Sequence, residues 1–322
     1  MDKNAFLNNI EKNISDILED YLFNNFQKQL IAEKLKAPFN KTYNEDYLWN
    51  KVLYISNNSC ILISESRNEK LTTEALKISA QIYENLSEIS EKYDRKYCLI
   101  LSALCYDLAG YSANALCMLE NLKTDQYSFE TSDEQINITA DNYILSHVQQ
   151  ILLKNIFKAR NDIKSDFDFD EGLKIFNEAM KNWYANILNG EDAEFVAQIH
   201  KAYTHYLNTF NLPIAHLLLL LKTRLEKYIE RSIWKNLNYN ADITINPIWN
   251  KYIKLLTYDF YDESGIKDIK KRISRFELWT SQLRAIEMGL LTEEKNFVIQ
   301  MPTSTGKTFI AEISILNHLI KY

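Results

Sequence analysis

The chain has 322 residues, of which 46% are hydrophobic, and a formal net charge of −6. This size predicts a sizeable core and two domains, and the acidity argues against this segment being the main nucleic-acid surface by itself. The most apolar run, 214–221, is shorter than the roughly 20 residues that span a bilayer, and no basic, apolar leader opens the chain. We therefore expect a cytoplasmic protein with no membrane partner.

Six glycines and four prolines are few for this length and predict a mainly α-helical protein. Apolar residues at steps of three and four predict helix over 1–36, and helical patterns return in pieces over 45–125. Within 99–122, two short amphipathic stretches flank Gly110. This pair resembles one tetratricopeptide repeat, with Leu108-Ala109-Gly110-Tyr111 at its turn. No second copy aligns at the expected period of about 34 residues, so we expect an irregular helical array.

Polar, aperiodic residues at 123–140 predict a loop. Further helices are predicted by apolar periodicity at 141–160, 173–189, 191–209 and Pro213 to about 236. Residues 236–247 then break the pattern. We predict an N-terminal helical domain over 1–245, with an interaction or regulatory role, and a linker over 246–269.

Cysteines and histidines lack the spacing of metal ligands. We interpret the cysteines as buried thiols in a reducing compartment, and the histidines of the helical region as structural or surface residues. The cysteines are Cys60, Cys98, Cys105 and Cys117, and the histidines are His147, His200, His205 and His216.

The end of the chain carries a pattern with a chemical meaning. NFVIQM, at 296–301, predicts a buried strand. It is followed by a loop that ends in Gly306-Lys307-Thr308 and by an amphipathic helix over 307–321. Strand, loop and helix in this order are typical of a phosphate-binding loop, in which backbone N–H groups and the helix N-terminus hold phosphate oxygens. We expect the strand to lie centrally in a parallel sheet and the apolar face of the helix to cover that sheet.

Two residues of this loop are candidates for catalysis. Lys307 should reach the β- and γ-phosphates of ATP, and the Thr308 hydroxyl should ligate Mg²⁺. The wider set of predicted ATP-binding residues is Gln282, Pro302, Thr303, Ser304, Thr305, Gly306, Lys307 and Thr308.

Met301 stands where the common GxxxxGK[ST] pattern has its first glycine. MPTSTGKT resembles motif I of superfamily 2 helicases, most closely the Ski-like and DEAD/DEAH-box groups. Upstream, RFELWTSQLRAIEMGLL resembles the adenine-recognition segment of that family, with Gln282 placed 25 residues before Lys307. The amide of a glutamine offers adenine a donor and an acceptor together. Phe276 and Trp279 are candidates to pack near the base, and Glu312 matches the glutamate of the motif I helix.

The resemblance covers 270–322 and implies that these residues begin a RecA-like α/β lobe. It further implies ATP and Mg²⁺ as cofactors, and DNA or RNA as the substrate of the whole motor. Such a motor needs an acidic motif after motif I and a second lobe. We therefore expect the chain to be the N-terminal portion of a longer helicase and not to hydrolyse ATP alone.

A long helical extension before the first lobe indicates a partner or a regulatory role. The sequence of motif I looks like that of Ski-like helicases in bacterial anti-phage systems, such as the helicase subunit of Hachiman. This resemblance implies a nuclease-like effector as the protein partner. The alternative is the helical interaction module of a signalling P-loop NTPase, which favours glycine at 301 and has no need of the Gln282 segment.

Overall fold

A computed structural model of the chain describes residues 2–120, 122, 140–154, 170–191, 194–237, 247–257, 275–292, 297–300 and 306–321. These residues form fourteen helices, so the predicted mainly α-helical fold is confirmed. The β pairing within them is one isolated antiparallel bridge, between Ser232 and Glu277.

The helices are, in chain order, α1 Lys3–Glu19, α2 Tyr21–Lys34, α3 Glu45–Ser64, α4 Glu69–Ile89, α5 Arg95–Leu108, α6 Ser112–Glu120, α7 Ala140–Leu152, α8 Glu171–Asn189, α9 Phe195–Asn208, α10 Leu212–Arg231, α11 Ile233–Leu237, α12 Pro247–Thr257, α13 Thr280–Glu287 and α14 Lys307–Lys321.

The predicted helix over 1–36 is in fact two helices. Asp20 separates α1 from α2, and its carboxylate accepts hydrogen bonds from the N–H groups of Leu22 (2.6 Å) and Phe23 (3.2 Å). An aspartate in this position satisfies donors at the start of the second helix that have no partner within it. Apolar spacing alone does not reveal such a break, because both helices keep the same period of burial.

The chain packs as two compact units. The first comprises 1–179 and 195–226, and the second comprises 180–194 and 227–322. The predicted domain limits at 245 and 270 stay predictions, although α12 lies within the stretch predicted as a linker.

In the first unit, α4 contacts α2, α3 and α5. The predicted helix pair is present as α5 and α6. Gly110 ends α5 with a φ of +87°, while the N–H of Tyr111 donates to the carbonyl of Tyr106 at 2.8 Å. This left-handed termination favours glycine because a side chain there crowds the backbone.

Buried thiols are confirmed for Cys60, Cys98 and Cys105, and burial raises the pKa of Cys98 to about 12. The prediction is wrong for Cys117, which is exposed because α6 turns that position to the surface. Among the described residues, no helix is both long and apolar enough to cross a membrane.

One ion pair joins the helix pair to α10 within the first unit. The Arg224 guanidinium donates to the Asp107 carboxylate, and their side chains are only 4% and 13% exposed. Burial alone would raise the pKa of Asp107, but attraction to Arg224 and a 2.7 Å hydrogen bond from Ser112 outweigh it and lower the pKa below its usual 3.8. The pair therefore adds stability above pH 3.8 that is lost as the pH falls toward the lowered pKa.

Replacing Asp107 by Asn should cost the protein roughly 3–5 kcal/mol of unfolding free energy, because the buried Arg224 guanidinium would lose the negative charge of the Asp107 carboxylate. Urea unfolding at pH 7, followed by circular dichroism, measures this loss. Asp46→Asn is the matched control, since Asp46 pairs with Lys92 at the surface and its loss should be hard to detect. Equal effects of the two substitutions would contradict the stabilising role of the buried pair.

Candidate functional site

The predicted helix after the phosphate loop is confirmed as α14, which begins at Lys307. Gly306 precedes it with a φ of +77°, and the Gly306 carbonyl accepts from the N–H of Ile310 at 3.3 Å. Lys307 and Thr308 are exposed in the first helical turn. The other predicted loop residues, Pro302, Thr303, Ser304 and Thr305, lie outside the described residues.

The strand predicted over 296–301 is not formed at 297–300, the residues of it that the structure describes. The Val298 side chain is 99% exposed there. A strand of this kind is stable only when neighbouring strands take up its backbone N–H and C=O groups, and the described part of the chain offers it no such neighbour. This prediction is therefore wrong for 297–300.

The apolar face of α14 is nevertheless buried. Phe309, Ile310 and Ile313 belong to one hydrophobic cluster of the second unit. The other buried members of this motif-helix cluster are Ile233, Trp234, Leu237, Trp249, Ile253, Leu278 and Leu291. Helices α11 and α12, rather than the expected sheet, thus supply the core for α14 within the described residues. The predicted RecA-like lobe stays a prediction.

Gln282 connects the upstream motif to the loop. Its side chain is 6% exposed, and its Oε1 accepts from the N–H of Trp279 at 2.9 Å, which caps the start of α13. Its Nε2 lies 3.5 Å from the Gly306 carbonyl, at the outer limit of a hydrogen bond. The two motifs, 24 residues apart in sequence, therefore meet in space. Adenine binding by Gln282 stays a prediction.

The structure separates the two aromatic candidates for the base. Phe276 is 1% exposed, and its ring centroid lies 5.9 Å from that of Trp183 and 5.7 Å from that of Tyr228. Trp279 is 48% exposed, and its ring lies 3.6 Å from the point that a Cβ of residue 306 would occupy. Trp279 therefore lies beside Gly306 and is accessible, whereas Phe276 is a core residue.

Sequence reasoning missed the contact that holds this segment from upstream. In the Ser232–Glu277 bridge, the N–H of Ile233 donates to Phe276 O at 3.1 Å and the N–H of Leu278 donates to Arg231 O at 2.8 Å. The bridge consists of two backbone hydrogen bonds and lies between helices, so no alternating pattern of apolar residues predicts it.

No protein-family model matches the chain. A stretch of 55 residues, 17% of this chain, is 46% identical to the ATP-dependent DNA helicase Hel308 of Methanocaldococcus jannaschii and covers 5% of that protein. A stretch of 59 residues, 18% of this chain, is 45% identical to Hel308 of Pyrococcus horikoshii and covers 8% of it. A longer match, over 270 residues and 79% of this chain, is 26% identical to the Hachiman protein HamB of Bacillus cereus and covers 22% of it.

The chain thus spans between 5% and 22% of the length of these relatives. The similarities identify a helicase-related protein. A match over 79% of the chain must include most of the helical region upstream of residue 270, so the likeness to HamB is not confined to the phosphate-loop motif.

Replacing Gly306 by Ala should destabilise the second unit and displace the Gln282 side chain, because the new Cβ would lie 2.1 Å from Nε2 at a φ of +77°. Gly110→Ala is the control, since it has a φ of +87° but no atom within 4 Å. Both variants bear the left-handed strain of about 1–2 kcal/mol, and Gly306→Ala adds an overpacking cost of about 1–3 kcal/mol. Urea unfolding compares the losses, and equal losses would contradict the contact between Gln282 and the loop.

Proposed function

We propose that the chain is the N-terminal part of an ATP-dependent nucleic-acid helicase of superfamily 2, and that its helical region docks a partner or regulates the motor. The observation that most supports this is the meeting of the two helicase-like motifs, in which Gln282 Nε2 lies 3.5 Å from the carbonyl of Gly306. Two separate motifs that matched by chance would have no reason to share one place in the fold.

The residues at the start of α14 fit a nucleotide carrying Mg²⁺. A helix N-terminus presents free N–H groups and a partial positive charge to phosphate oxygens. Lys307 adds a full positive charge in the exposed first turn, and the Thr308 hydroxyl beside it is an oxygen ligand of the kind that Mg²⁺ takes. Bound ATP supplies the phosphoryl group whose transfer to water drives the motor. Trp279 offers an exposed ring beside the same loop for the adenine base.

The helicase assignment is further supported by the likeness to Hel308, which is an ATP-dependent DNA helicase. We propose that the whole protein acts on DNA or RNA. The likeness to the Hachiman protein HamB over most of the chain supports a role in anti-phage defence. On this proposal the helical region serves the docking of a nuclease-like effector protein, and the region around Gly306 serves the motor.

In the full-length protein, Lys307→Ala should lower ATP hydrolysis stimulated by single-stranded DNA or RNA at least about a hundredfold. This is the usual scale for losing one group that stabilises developing charge. The Lys307 side chain is exposed, so the helical fold and its unfolding midpoint should not change. A steady-state assay of phosphate release measures the effect.

Lys235→Ala is the matched control, because Lys235 is an exposed helical lysine outside the loop. It should hydrolyse ATP at the wild-type rate. Normal turnover by Lys307→Ala would refute the assignment of the loop, and equal losses in both variants would show that a general charge effect, rather than phosphate contact, had been measured.

A further inference from the structure

The segment just before α13 is held in place by the residues of α8 and α10 that belong to the second unit and by the Ser232–Glu277 bridge. Its backbone makes the two bonds of the Ser232–Glu277 bridge, at 3.1 Å and 2.8 Å. Its Phe276 side chain packs edge-on against Trp183 of α8 and lies close to Tyr228 of α10. Backbone and side chain are thus fixed by different partners, and the segment has little freedom to shift.

The two rings that contact Phe276, those of Trp183 and Tyr228, are themselves held by further contacts. The Tyr228 hydroxyl donates to Asn186 Oδ1 at 2.6 Å, so the ring that meets Phe276 is bonded to α8 as well as carried by α10. Trp183 and Tyr228 also contact each other, with ring centroids 5.9 Å apart. We call Trp183, Tyr228 and Phe276 the anchor.

A short series of hydrogen bonds connects the residues next to the anchor with Gly306. Leu278 donates to the carbonyl of Arg231, and the next residue, Trp279, donates its N–H to Gln282 Oε1. The other end of the same amide faces the Gly306 carbonyl. Gln282 is buried, and its Oε1 is bonded to the N–H of Trp279, so a shift at the start of α13 shifts its amide as well.

We infer that the anchor and the bridge position Gln282, and through it Gly306 at the start of α14. The residues of α8 and α10 that belong to the second unit would then govern the affinity of this site for nucleotide. This inference rests on the proposed function. Phe276 is then a positioning residue, since its ring packs on Trp183 and Tyr228 and acts on the nucleotide site through Gln282. A displacement of about 1 Å in such a support is enough to lower binding or catalysis strongly.

The coupling is reciprocal, because any change at α8 and α10 that alters nucleotide affinity must be matched by an equal effect of nucleotide on those helices. A ligand that shifts Trp183 or Tyr228 would thereby change nucleotide affinity at the start of α14, and bound nucleotide would strengthen the packing of Phe276.

A double-mutant cycle in the full-length protein tests the path, with mant-ATP and Mg²⁺ as the probe. Phe276→Leu keeps an apolar side chain but loses the ring, and it should weaken binding at least about fivefold, the lower end of usual coupling between sites. Gln282→Ala should also weaken binding. If Phe276 acts through Gln282, the double variant should bind as well as Gln282→Ala alone. Losses that multiply would overturn the inference, because a general loss of stability does not depend on Gln282.

A disulfide across the bridge gives the second test. Ser232 and Glu277 form the pair of an antiparallel bridge that does not exchange hydrogen bonds, where the Cα atoms are closest, at about 4.5 Å, within the range that a disulfide accepts. The variant is Ser232→Cys/Glu277→Cys with Phe276→Leu, in a Cys117→Ser background that removes the exposed native thiol.

When oxidised, this variant should bind mant-ATP as tightly as the wild type. When reduced, it should bind as weakly as Phe276→Leu. No difference between the oxidised and reduced forms would overturn the inference. A wild-type protein that fails to bind mant-ATP would instead refute the proposed nucleotide site, so the two failures are told apart.

Discussion

Burial of Phe309, Ile310 and Ile313 fixes the position of α14, and this helix begins at Lys307, directly after Gly306. Each such side chain contributes about 1.5–3 kcal/mol when it leaves water. One hydrogen bond, such as that between Gln282 and Gly306, contributes about 0.5–1.5 kcal/mol net. Packing in the motif-helix cluster therefore sets the position of α14, and the Gln282 amide adjusts the geometry of the loop end.

This arrangement makes the candidate site a continuation of the helical structure around it. Trp234 contributes its ring to the motif-helix cluster, and its indole N–H donates to the carbonyl of Ile187 at 2.8 Å. Gly190 approaches the same ring so closely that a Cβ there would lie 2.9 Å from it. The end of α8 is thus packed onto the cluster that seats α14. If the chain has the proposed function, this connection would couple binding at the end of α8 to nucleotide binding at the start of α14.

Local rules predicted the parts of the site that depend on neighbouring residues. A helix was predicted to begin near Lys307 after a turn at Gly306, and α14 begins there. Gly110 was predicted to end the first helix of the pair in a left-handed conformation, and it ends α5 with a φ of +87°. The expectation that Gln282 and the loop serve one nucleotide site came from the resemblance to superfamily 2 helicases rather than from any periodic pattern.

Partners distant in the chain could not be predicted in this way. The period of α14 reveals which face is buried but not what buries it, so a sheet was expected where Trp249 and Ile253 are found. An apolar run such as 297–300 indicates a strand only if neighbours complete it. The packing of Phe276 and the bridge at Ser232 depend on residues up to about a hundred positions away in the sequence. No local sequence pattern predicts such contacts.

The central claim is that the helix after the phosphate loop shares its core with upstream helices. Hydrogen exchange of the full-length protein, followed by mass spectrometry, tests it most directly. Helices α12 and α14 should open with the same free energy and should gain protection together when ATP and Mg²⁺ are added, since members of one packed core open as a unit. Fast exchange over Lys307–Lys321 beside a protected Pro247–Thr257 would contradict the account.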